Sequence, residues 1–334
     1  MSLLPFTTAF VTGAAGFIGS HLVDRLLSSD VTVVGYDNLS TGFQEFVTHS
    51  MVSERFQFVR GDVLDLEAMT KAMRGADIVF HLAANADVRF GPMHPFKDLE
   101  QNTLATFNVL EAMRSNQVGT IVFASTGSVY GEANVVPTPE DAPFPIQTSF
   151  YGASKLAGEA LIAAYAEAYG IHGLIFRCVS ILGERYTHGH VIDFYKKLRA
   201  DPTLLHVLGD GRQKKSYLYV HDGIDAMLHV IKHRARTKIN IFNLGTQEYC
   251  EVNQSIEWIT TYLGLRPRLI YSGGDRGWIG DNPFIFLDTA KIRMLGWQPR
   301  LSIADAVTRT IAWLVENSWV VDRLGGQIAL SPKA

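Results

Sequence analysis

The sequence predicts an α/β protein with a doubly wound parallel sheet, and two features carry this prediction. Six short β-branched runs alternate with amphipathic helical segments in the first half of the chain. Strands that are joined by helices run parallel, and such a sheet carries helices on both of its faces. A glycine-rich turn also follows the first run directly. The predicted strands are residues 9–11, 31–36, 56–59, 78–82, 121–124 and 173–176.

The regular alternation of predicted strands and helices becomes less clear beyond residue 181. Loops rich in glycine, aspartate and arginine, at 209–212 and 273–280, separate shorter strands and helices there. A smaller α/β substrate-binding domain is therefore predicted to follow the sheet domain, with some later segments returning to the sheet. The end of the chain is expected to be a loosely attached tail. The predicted divisions are residues 1–180, 181–316 and 317–334.

Composition narrows the classes of function. The 334 residues are 47% hydrophobic and 19% charged, which is typical of a soluble globular protein with a sizeable core. A formal net charge of −3 gives no basic field for a nucleic-acid backbone, so nucleic acid is not an expected partner. Cys178 and Cys250 lie in or beside apolar stretches and predict buried thiols in a reducing cytoplasm. No targeting signal or membrane-spanning run is visible, so no membrane partner is expected.

A glycine motif marks the expected phosphate site. Gly13, Gly16 and Gly19 directly follow the first strand at three-residue spacing, and the segment opens a helix. Glycines let the backbone approach a pyrophosphate, and the helix N-terminus offers N–H groups and a positive dipole end. The commoner spacing is G-x-G-x-x-G, and a tight turn without a ligand is the alternative. The context predicts a Rossmann-type dinucleotide site that includes Phe17 and Ile18.

The end of the second strand indicates which dinucleotide binds. Asp37 lies where an acidic residue meets the adenosine ribose, and its carboxylate accepts hydrogen bonds from both ribose hydroxyls. The same carboxylate would repel a 2′-phosphate, so NAD is favoured over NADP. A solvated aspartate at a strand end is the alternative, and the short polar segment that follows argues against it. The further cofactor residues in that segment are Asn38, Ser40, Thr41 and Gly42.

Two more strand ends are assigned to the cofactor. Asp62 and Val63 follow the third strand, where they would cap an edge of the adenine. Leu82, Ala83 and Ala84 follow the fourth strand and would pass under the cofactor with their small side chains. Ordinary strand-end packing is the alternative for both segments.

Tyr151 and Lys155 form the expected catalytic pair. They lie one helical turn apart in Tyr-Gly-Ala-Ser-Lys, so both side chains project from the same helix face. A tyrosine with a pKa of about 10 is a poor base, but a cationic neighbour favours the phenolate. Ser125 and Thr126 end the fifth strand, where a hydroxyl would share the proton of the substrate oxygen with Tyr151. A surface pair is the alternative, because this spacing is common by chance.

Together these motifs resemble the extended short-chain dehydrogenase/reductase family, in particular its branch of nucleotide-sugar epimerases and dehydratases. The similarity runs from about residue 6 to about residue 313, and the UDP-glucose 4-epimerases are the most similar members. The resemblance implies that the glycine motif holds the pyrophosphate of NAD and that Asp37 holds the ribose. It also implies that Thr126, Tyr151 and Lys155 are catalytic.

The resemblance implies a substrate site as well. Residues 275–281 are similar to the substrate loop of the 4-epimerases, in which Arg276 would meet the diphosphate and Asp281 the nucleoside ribose. Ile285 would lie beside the C2 substituent of the sugar, where its intermediate size predicts a site for both glucose- and N-acetylglucosamine-type substrates. Packing within a strand is the alternative for Ile285, and a surface salt bridge is the alternative for Arg89. The other implied residues are Asn102 on the cofactor side and Val88, Arg89, Ser180, His190, Val191 and Lys215 on the substrate side.

Departures from the family pattern bear on the reaction. The 4,6-dehydratases carry Asp-Glu after the catalytic threonine, whereas this chain has Gly127 and Ser128. Neither residue transfers a proton as a carboxyl does, so elimination of water loses its machinery. Cys178 and Ser180 replace the usual Tyr and Asn, and Lys215 replaces an Arg, offering a point charge in place of a bidentate fork.

These features predict an NAD-dependent sugar-nucleotide 4-epimerase that acts on UDP-glucose and UDP-galactose and on their N-acetylated counterparts. Tyr151 would take the O4 proton while the C4 hydride passes to NAD, and the 4-keto sugar would then turn over. No metal is expected, because the eleven histidines show no metal-binding spacing. The alternatives are a 4-keto reductase, dehydratase or decarboxylase of the same family, and a non-catalytic NAD-binding protein. A homodimer is expected, because the catalytic helix often builds the dimer interface in this family.

Overall fold

Strands and helices alternate along the computed structural model, which describes residues 4–86, 91–143, 146–233, 237–278, 281–282 and 284–329. The strands are β1 (Thr8–Thr12), β2 (Thr32–Asp37), β3 (Phe56–Arg60), β4 (Ile78–His81), β5 (Thr120–Thr126), β6 (His172–Cys178), β7 (Ser180–Leu182), β8 (Leu204–Val207), β9 (Lys214–Lys215), β10 (Tyr217–Tyr219), β11 (Ile239–Leu244), β12 (Cys250–Glu251), β13 (Arg268–Tyr271) and β14 (Phe284–Ile285). The α-helices are α1 (Phe17–Leu27), α2 (Leu66–Ala72), α3 (Pro95–Asp98), α4 (Ala105–Asn116), α5 (Phe150–Tyr169), α6 (His190–Ala200), α7 (Val220–His233), α8 (Val252–Leu263), α9 (Ala290–Arg293), α10 (Ile303–Glu316) and α11 (Trp319–Ala329).

Seven of the described strands form one parallel sheet, in the order β3-β2-β1-β4-β5-β6-β11. The chain first adds β2 and β3 on one side of β1 and then adds β4 on the other side. This reversal defines a doubly wound sheet, and it opens a crevice at the carboxyl ends of β1 and β4. The α/β fold expected from the sequence is confirmed, and the six predicted strands coincide with β1 to β6.

The seventh strand was not among the predicted ones. β11 pairs with β6 along its whole length, from Ile239 opposite Gly173 to Leu244 opposite Cys178. Because β11 follows residue 181 in the chain, a segment beyond the predicted boundary at residue 180 completes the sheet. The boundary itself stays a prediction.

Apolar side chains cover both faces of the sheet. Phe10 belongs to one hydrophobic cluster and its neighbours Ala9 and Val11 belong to another, because successive residues of a strand point to opposite faces. A strand that is buried on both faces needs apolar residues at every position. This requirement explains why the first strands read as continuous β-branched runs in the sequence.

Shorter strands form three small sheets in the described part of the chain beyond residue 178. β7 pairs with β10 and β8 pairs with β13, both in parallel. β9 pairs antiparallel with β12 and parallel with β14, which sets Lys215 opposite Ile285. Two residues that the sequence assigned to the substrate therefore lie side by side.

The end of the chain differs from the expected loose tail. α11 begins at Trp319, and the indole ring of Trp319 lies 5.4 Å from the ring of Phe43 and 6.0 Å from that of Phe46. Val320 and Val321 are buried. The tertiary contact with a distant part of the chain fixes this helix, so its attachment could not be read from local sequence. Among the described residues, no helix has the length and apolar character that a bilayer crossing requires.

Candidate active site

The glycine motif forms the turn between β1 and α1 at the crevice. Gly13 has a φ of +71°, and its N–H donates a hydrogen bond of 2.9 Å to the carbonyl oxygen of Tyr36. A Cβ on Gly13 would lie 2.8 Å from the backbone nitrogen of Ala83, and one on Gly19 would lie 1.9 Å from the Gly13 carbonyl oxygen. Side chains are thus excluded, and Gly16 caps the start of α1. The turn leaves a bare backbone at a positive helix end, which suits a pyrophosphate.

Asp37 closes the same crevice at the end of β2. Its buried carboxylate accepts hydrogen bonds from the N–H of Ala15 at 2.9 Å and from the N–H of Leu39 at 2.8 Å. Burial raises the pKa of Asp37, and these two backbone bonds oppose the rise. The carboxylate therefore braces the glycine turn, and its remaining lone pairs can accept from ribose hydroxyls.

The polar residues beyond Asp37 connect the ends of β2 and β3. The Asn38 amide donates to Asp62 Oδ2 at 2.9 Å, and the backbone N–H of Ser40 donates to Asn38 Oδ1 at 2.9 Å. Thr41 is exposed, whereas Val63 is buried. A Cβ on the nearby Gly42 would lie 2.8 Å from the backbone of residue 15, so this loop packs tightly on the glycine turn.

Hydrogen bonds from the end of β1 hold the segment after β4. The Thr12 hydroxyl accepts from the N–H groups of Leu82 and Ala83, both at 3.2 Å, and lies 2.8 Å from Nδ1 of His81. The other ring nitrogen of His81 lies 3.1 Å from the hydroxyl of Thr106. Burial lowers the pKa of His81 to about 3, so the ring is neutral and serves as a connector. Residues 82–84 thus cross the crevice beside the glycine turn.

Asn102 lies in a π-helical turn, Leu99–Leu104, between α3 and α4. Its buried amide accepts from the N–H of Asn85 at 2.8 Å and donates to the Ser154 hydroxyl at 2.9 Å. Both ends of the amide are therefore engaged with the protein. In this arrangement Asn102 orients the catalytic helix rather than reaching freely into the crevice.

α5 brings the three expected catalytic residues together. The Ser149 hydroxyl caps this helix by accepting from the N–H of Gly152 at 3.0 Å, which sets Tyr151 in its first turn. Thr126, the last residue of β5, lies close enough to Tyr151 to affect its pKa, and its hydroxyl donates to the Ser128 hydroxyl at 3.2 Å. Lys155 follows one turn later and is only 2% exposed.

Burial is the largest cause of the pKa shifts of Tyr151 and Lys155. Burial raises the pKa of Tyr151, and the neighbouring Thr126 hydroxyl lowers it only in part. Burial also lowers the pKa of Lys155 to about 7, and its Nζ lies 3.9 Å from the ring centroid of Phe123. Desolvation disfavours the charged form of both groups, and the lowering of the tyrosine pKa by a cationic neighbour stays a prediction.

The residues assigned to the substrate gather on the other side of β5. Lys215 Nζ pairs with Asp281 at 2.7 Å and also donates to the carbonyl oxygen of Asn282. Arg276 Nη1 donates to the Asp281 carbonyl oxygen at 3.1 Å and forms an ion pair of 2.7 Å with Glu132. Two cations thus lie together, each held by a carboxylate that an anionic ligand could replace.

Ile285 lies against Gly127, the residue that follows Thr126. A Cβ built on Gly127 would lie 3.0 Å from Ile285 Cγ2 and 3.4 Å from Leu287 Cδ1. Any side chain at position 127 would therefore press on Ile285.

The remaining assigned residues are less closely grouped. His190 Nε2 lies 2.7 Å from the Ser255 hydroxyl, and burial lowers the pKa of His190 to about 3. Val191 is buried in α6, whereas Ser180 at the start of β7 is exposed. Val88 and Arg89 lie outside the described residues, as do positions 279 and 280 of the substrate loop.

The structure brings together one histidine cluster that the spacing of histidines along the sequence did not predict. His21, Glu184 and His221 present ligand atoms within 4.8 Å of one another. His21 Nε2 already bonds to the Glu184 carbonyl oxygen at 2.9 Å, and the Glu184 carboxylate accepts from the Tyr219 hydroxyl at 2.9 Å. The positive charge of Arg185 acts on both histidines and disfavours the binding of a cation by this cluster. These contacts account for the cluster without a metal.

Comparison with known proteins decides the family. The sequence model of the NAD dependent epimerase/dehydratase family matches residues 9–245. The chain belongs to this family. A putative UDP-glucose 4-epimerase of Methanocaldococcus jannaschii is 35% identical over 315 residues, which cover 92% of this chain and 98% of that protein. The resemblance inferred from the motifs is confirmed.

Solved structures of the NAD dependent epimerase/dehydratase family share the whole fold. A crystal structure of a UDP-galactose 4-epimerase is 38% identical, with a TM-score of 0.84 over 94% of this chain and 100% of that chain. A dTDP-glucose 4,6-dehydratase of Streptomyces venezuelae, solved with NAD, is 27% identical, with a TM-score of 0.86 over 95% of this chain and 100% of that chain. Both reaction types therefore occur among the relatives.

The cofactor of the epimerase/dehydratase family is NAD, and the crevice fits it. The glycine turn is a cradle that a Cβ at position 13 or 19 would fill, and Asp37 offers a buried carboxylate at the neighbouring strand end. NAD, as predicted, is the cofactor of this family.

Sequence reasoning missed a charged group behind the catalytic helix. Glu159 of α5 and Arg177 of β6 form a buried ion pair at 2.7 Å. Ser125, which was assigned to the cofactor, donates its hydroxyl to Glu159. The signal was present in the sequence, because Glu159 follows Lys155 by one helical turn and lies on the same face.

Replacing Asp37 with Ala should weaken NAD binding by about 1–3 kcal/mol, since hydrogen-bonding groups of the ribose and of the turn lose their acceptor. Titration calorimetry on cofactor-free protein measures the change. Asp37→Asn is the matched variant, because it keeps one acceptor oxygen and should lose less affinity. Equal affinity in wild type and Asp37→Ala would remove Asp37 from the cofactor site.

Proposed function

We propose that this enzyme of the NAD dependent epimerase/dehydratase family is a sugar-nucleotide 4-epimerase. The observation that carries the proposal is that Gly127 and Ser128, which directly follow Thr126, carry no carboxyl. Neither Gly127 nor Ser128 can transfer a proton as a carboxyl does, whereas the Thr126–Tyr151–Lys155 group is complete. Epimerisation needs this group, and elimination of water needs a further acid and base.

Each group of residues at the site has its own role in the proposed epimerisation. NAD, when bound along the glycine turn and Asp37, supplies the hydride acceptor and donor for C4 of the sugar. The Tyr151 oxygen takes the O4 proton and returns it, and the neighbouring Thr126 hydroxyl assists the exchange. Lys155 in its charged form stabilises the phenolate.

A nucleoside diphosphate fits the opposite side of the site. Lys215 and Arg276 are cations held by Asp281 and Glu132, and a diphosphate would replace these carboxylates as their partner. We infer that the substrates are UDP-glucose and UDP-galactose, with UDP-N-acetylglucosamine and UDP-N-acetylgalactosamine as further candidates. The alternative within the family is a 4-keto-sugar reductase, which would release its cofactor at each turnover.

The test is a product analysis. The purified protein is incubated with UDP-glucose, UDP-N-acetylglucosamine and their uronic acids, and the products are read by NMR without added cofactor. The C4 epimer should form from at least one substrate, with NAD retained by the protein. A 4-keto-6-deoxy sugar or a decarboxylated pentose would contradict the proposal, as would the absence of any product.

Ile285→Tyr should lower kcat/KM for UDP-N-acetylglucosamine and leave kcat/KM for UDP-glucose nearly unchanged. A tyrosine beside the C2 substituent would exclude the N-acetyl group, and misfit in a pocket costs about 1–3 kcal/mol, or roughly 10–200-fold. The matched control is Phe284→Tyr, on the opposite face of β14 against the ring of Tyr249. If both substrates lose equally, Ile285 is a packing residue and the expected substrate breadth is unfounded.

We also propose a cytoplasmic homodimer that associates through α4 and α5. Phe107 is 41% exposed and Tyr169 is 57% exposed, and both rings adjoin Tyr165 between the two helices. An exposed apolar stripe of this kind is typical of an interface between copies. Cys178 and Cys250 are free thiols, which suits a reducing compartment. Light scattering should give a dimer that Phe107→Lys converts to a monomer.

A further inference from the structure

A buried ion pair adjoins the catalytic helix. Glu159 and Arg177 are each 5% exposed, and Arg177 Nη2 and Nε donate to the Glu159 carboxylate at 2.7 and 3.1 Å. The Ser125 hydroxyl donates to the same carboxylate. Arg177 also stacks 4.7 Å from the ring centroid of Tyr130. Because desolvation of both charges is costly, a buried ion pair is weak evidence for a purely stabilising role.

Glu159 lies one helical turn beyond Lys155, and both side chains are buried on the same face of α5. The Lys155 ammonium rests on the Phe123 ring, away from water, and burial lowers its pKa to about 7. The negative charge of Glu159 is the largest influence that opposes this fall. Removal of the Glu159 charge would therefore lower the pKa of Lys155 further.

Among the described residues around Lys155, the cation Arg177 pairs with Glu159, and the histidine, cysteine and tyrosine nearby carry no charge. Burial lowers the pKa of His81 on β4 to about 3 and raises the pKa of the Cys178 thiol on β6 to about 12. Burial also raises the pKa of Tyr151 on α5 itself. Asp98 on α3 acts on Tyr151, not on the lysine. Within the described residues, Glu159 is thus the carboxylate that faces Lys155.

We propose that Glu159 is a positioning residue that keeps Lys155 in its cationic form for the acid–base step of Tyr151. Arg177 and Ser125 hold the Glu159 carboxylate in place, one helical turn beyond the lysine. This role rests on the proposed epimerase mechanism for its catalytic meaning. The charge state of the lysine itself can be measured independently of that mechanism.

The first test is the pH profile of kcat/KM, whose alkaline limb reports the loss of the Lys155 proton in the free enzyme. In Glu159→Gln the pKa of the lysine falls, so the limb should move to lower pH by about 1–3 units. Glu159→Asp keeps the negative charge, so the pH of its alkaline limb should lie closer to that of wild type than that of Glu159→Gln does. Glu167→Gln is the matched control, because Glu167 is an exposed residue of the same helix and pairs with Lys238.

The second test needs no substrate. Trace acetylation of the cofactor-free protein over a pH series, read by mass spectrometry, gives the pH at which Lys155 becomes reactive, with exposed Lys238 as the internal standard. Glu159→Gln should lower this pH for Lys155 alone. If Glu159→Gln lowers the reactive pH of Lys155 but the wild-type protein forms no epimer, the proposed function fails while the coupling of Glu159 to Lys155 stands.

A folding defect must not be mistaken for either result. Glu159→Gln leaves Arg177 as a buried unpaired cation, so the double variant Glu159→Gln/Arg177→Met removes both charges together. It should keep the thermal transition of a folded protein and still lower the reactive pH of Lys155. An unchanged alkaline limb and an unchanged reactive pH, with only a uniform loss of kcat, would overturn the proposal.

Discussion

Tyr151→Phe should abolish turnover, with kcat falling by at least about 10²–10⁴-fold, the range that a positioned acid–base group contributes. The substitution removes the hydroxyl beside Thr126 and leaves the ring in its place at the start of α5. The fold and the NAD content should therefore stay close to those of wild type. Initial rates with the accepted UDP-sugar and the absorbance of extracted NAD measure both.

Thr126→Val provides the graded comparison for this result. Its hydroxyl assists Tyr151 but is not the proton acceptor, so the loss should be smaller than that in Tyr151→Phe. If Tyr151→Phe kept most of its activity, another group would perform the proton transfer and the proposed mechanism would be wrong.

Gly19→Ala should reduce NAD affinity by more than about 10²-fold. Its Cβ would lie 1.9 Å from the Gly13 carbonyl oxygen, and Gly13 cannot withdraw because its N–H is bonded to Tyr36 and its Cα faces Ala83. The turn must open, and two or more backbone contacts to the pyrophosphate would then be lost at about 1–3 kcal/mol each. Calorimetric titration with NAD measures the affinity.

Gly119→Ala is the control for Gly19→Ala. A Cβ at position 119 meets nothing within 4 Å, so this variant should bind NAD as wild type does. Tight NAD binding by Gly19→Ala would mean that the pyrophosphate does not depend on the glycine turn, and the crevice would have to be reassigned.

Local sequence was sufficient for the sheet and for the cofactor turn. Strands β1, β2, β4, β5 and β6 are largely buried on both faces, so each is a mostly apolar run, whereas β3 at the sheet edge is partly exposed. The turn after β1 needs glycine for steric reasons. The helix carrying Tyr151 and Lys155 was predictable from one-turn spacing. In each case the physical cause lies within a few neighbouring residues.

Tertiary contacts determine what local sequence did not reveal. β9 and β14 are two residues long, so no periodicity could predict that Lys215 and Ile285 lie in register. The raised pKa of Tyr151 follows from burial, which spacing along a helix does not report. The pairing of Glu159 with Arg177 likewise depends on the placement of α5 over β6.

The late position of β11 has a consequence for biosynthesis. While the ribosome is still making the residues before Ile239, β6 has no partner on its outer side, although the glycine turn and the catalytic helix have already been made. An unpaired parallel edge can recruit strands of other nascent chains. The surface around Phe43 and Phe46 stays uncovered even longer, because α11, which packs on it, is made last. Truncated translation products that carry every NAD-contacting residue should therefore aggregate or require a chaperone until residue 244 and then α11 have emerged.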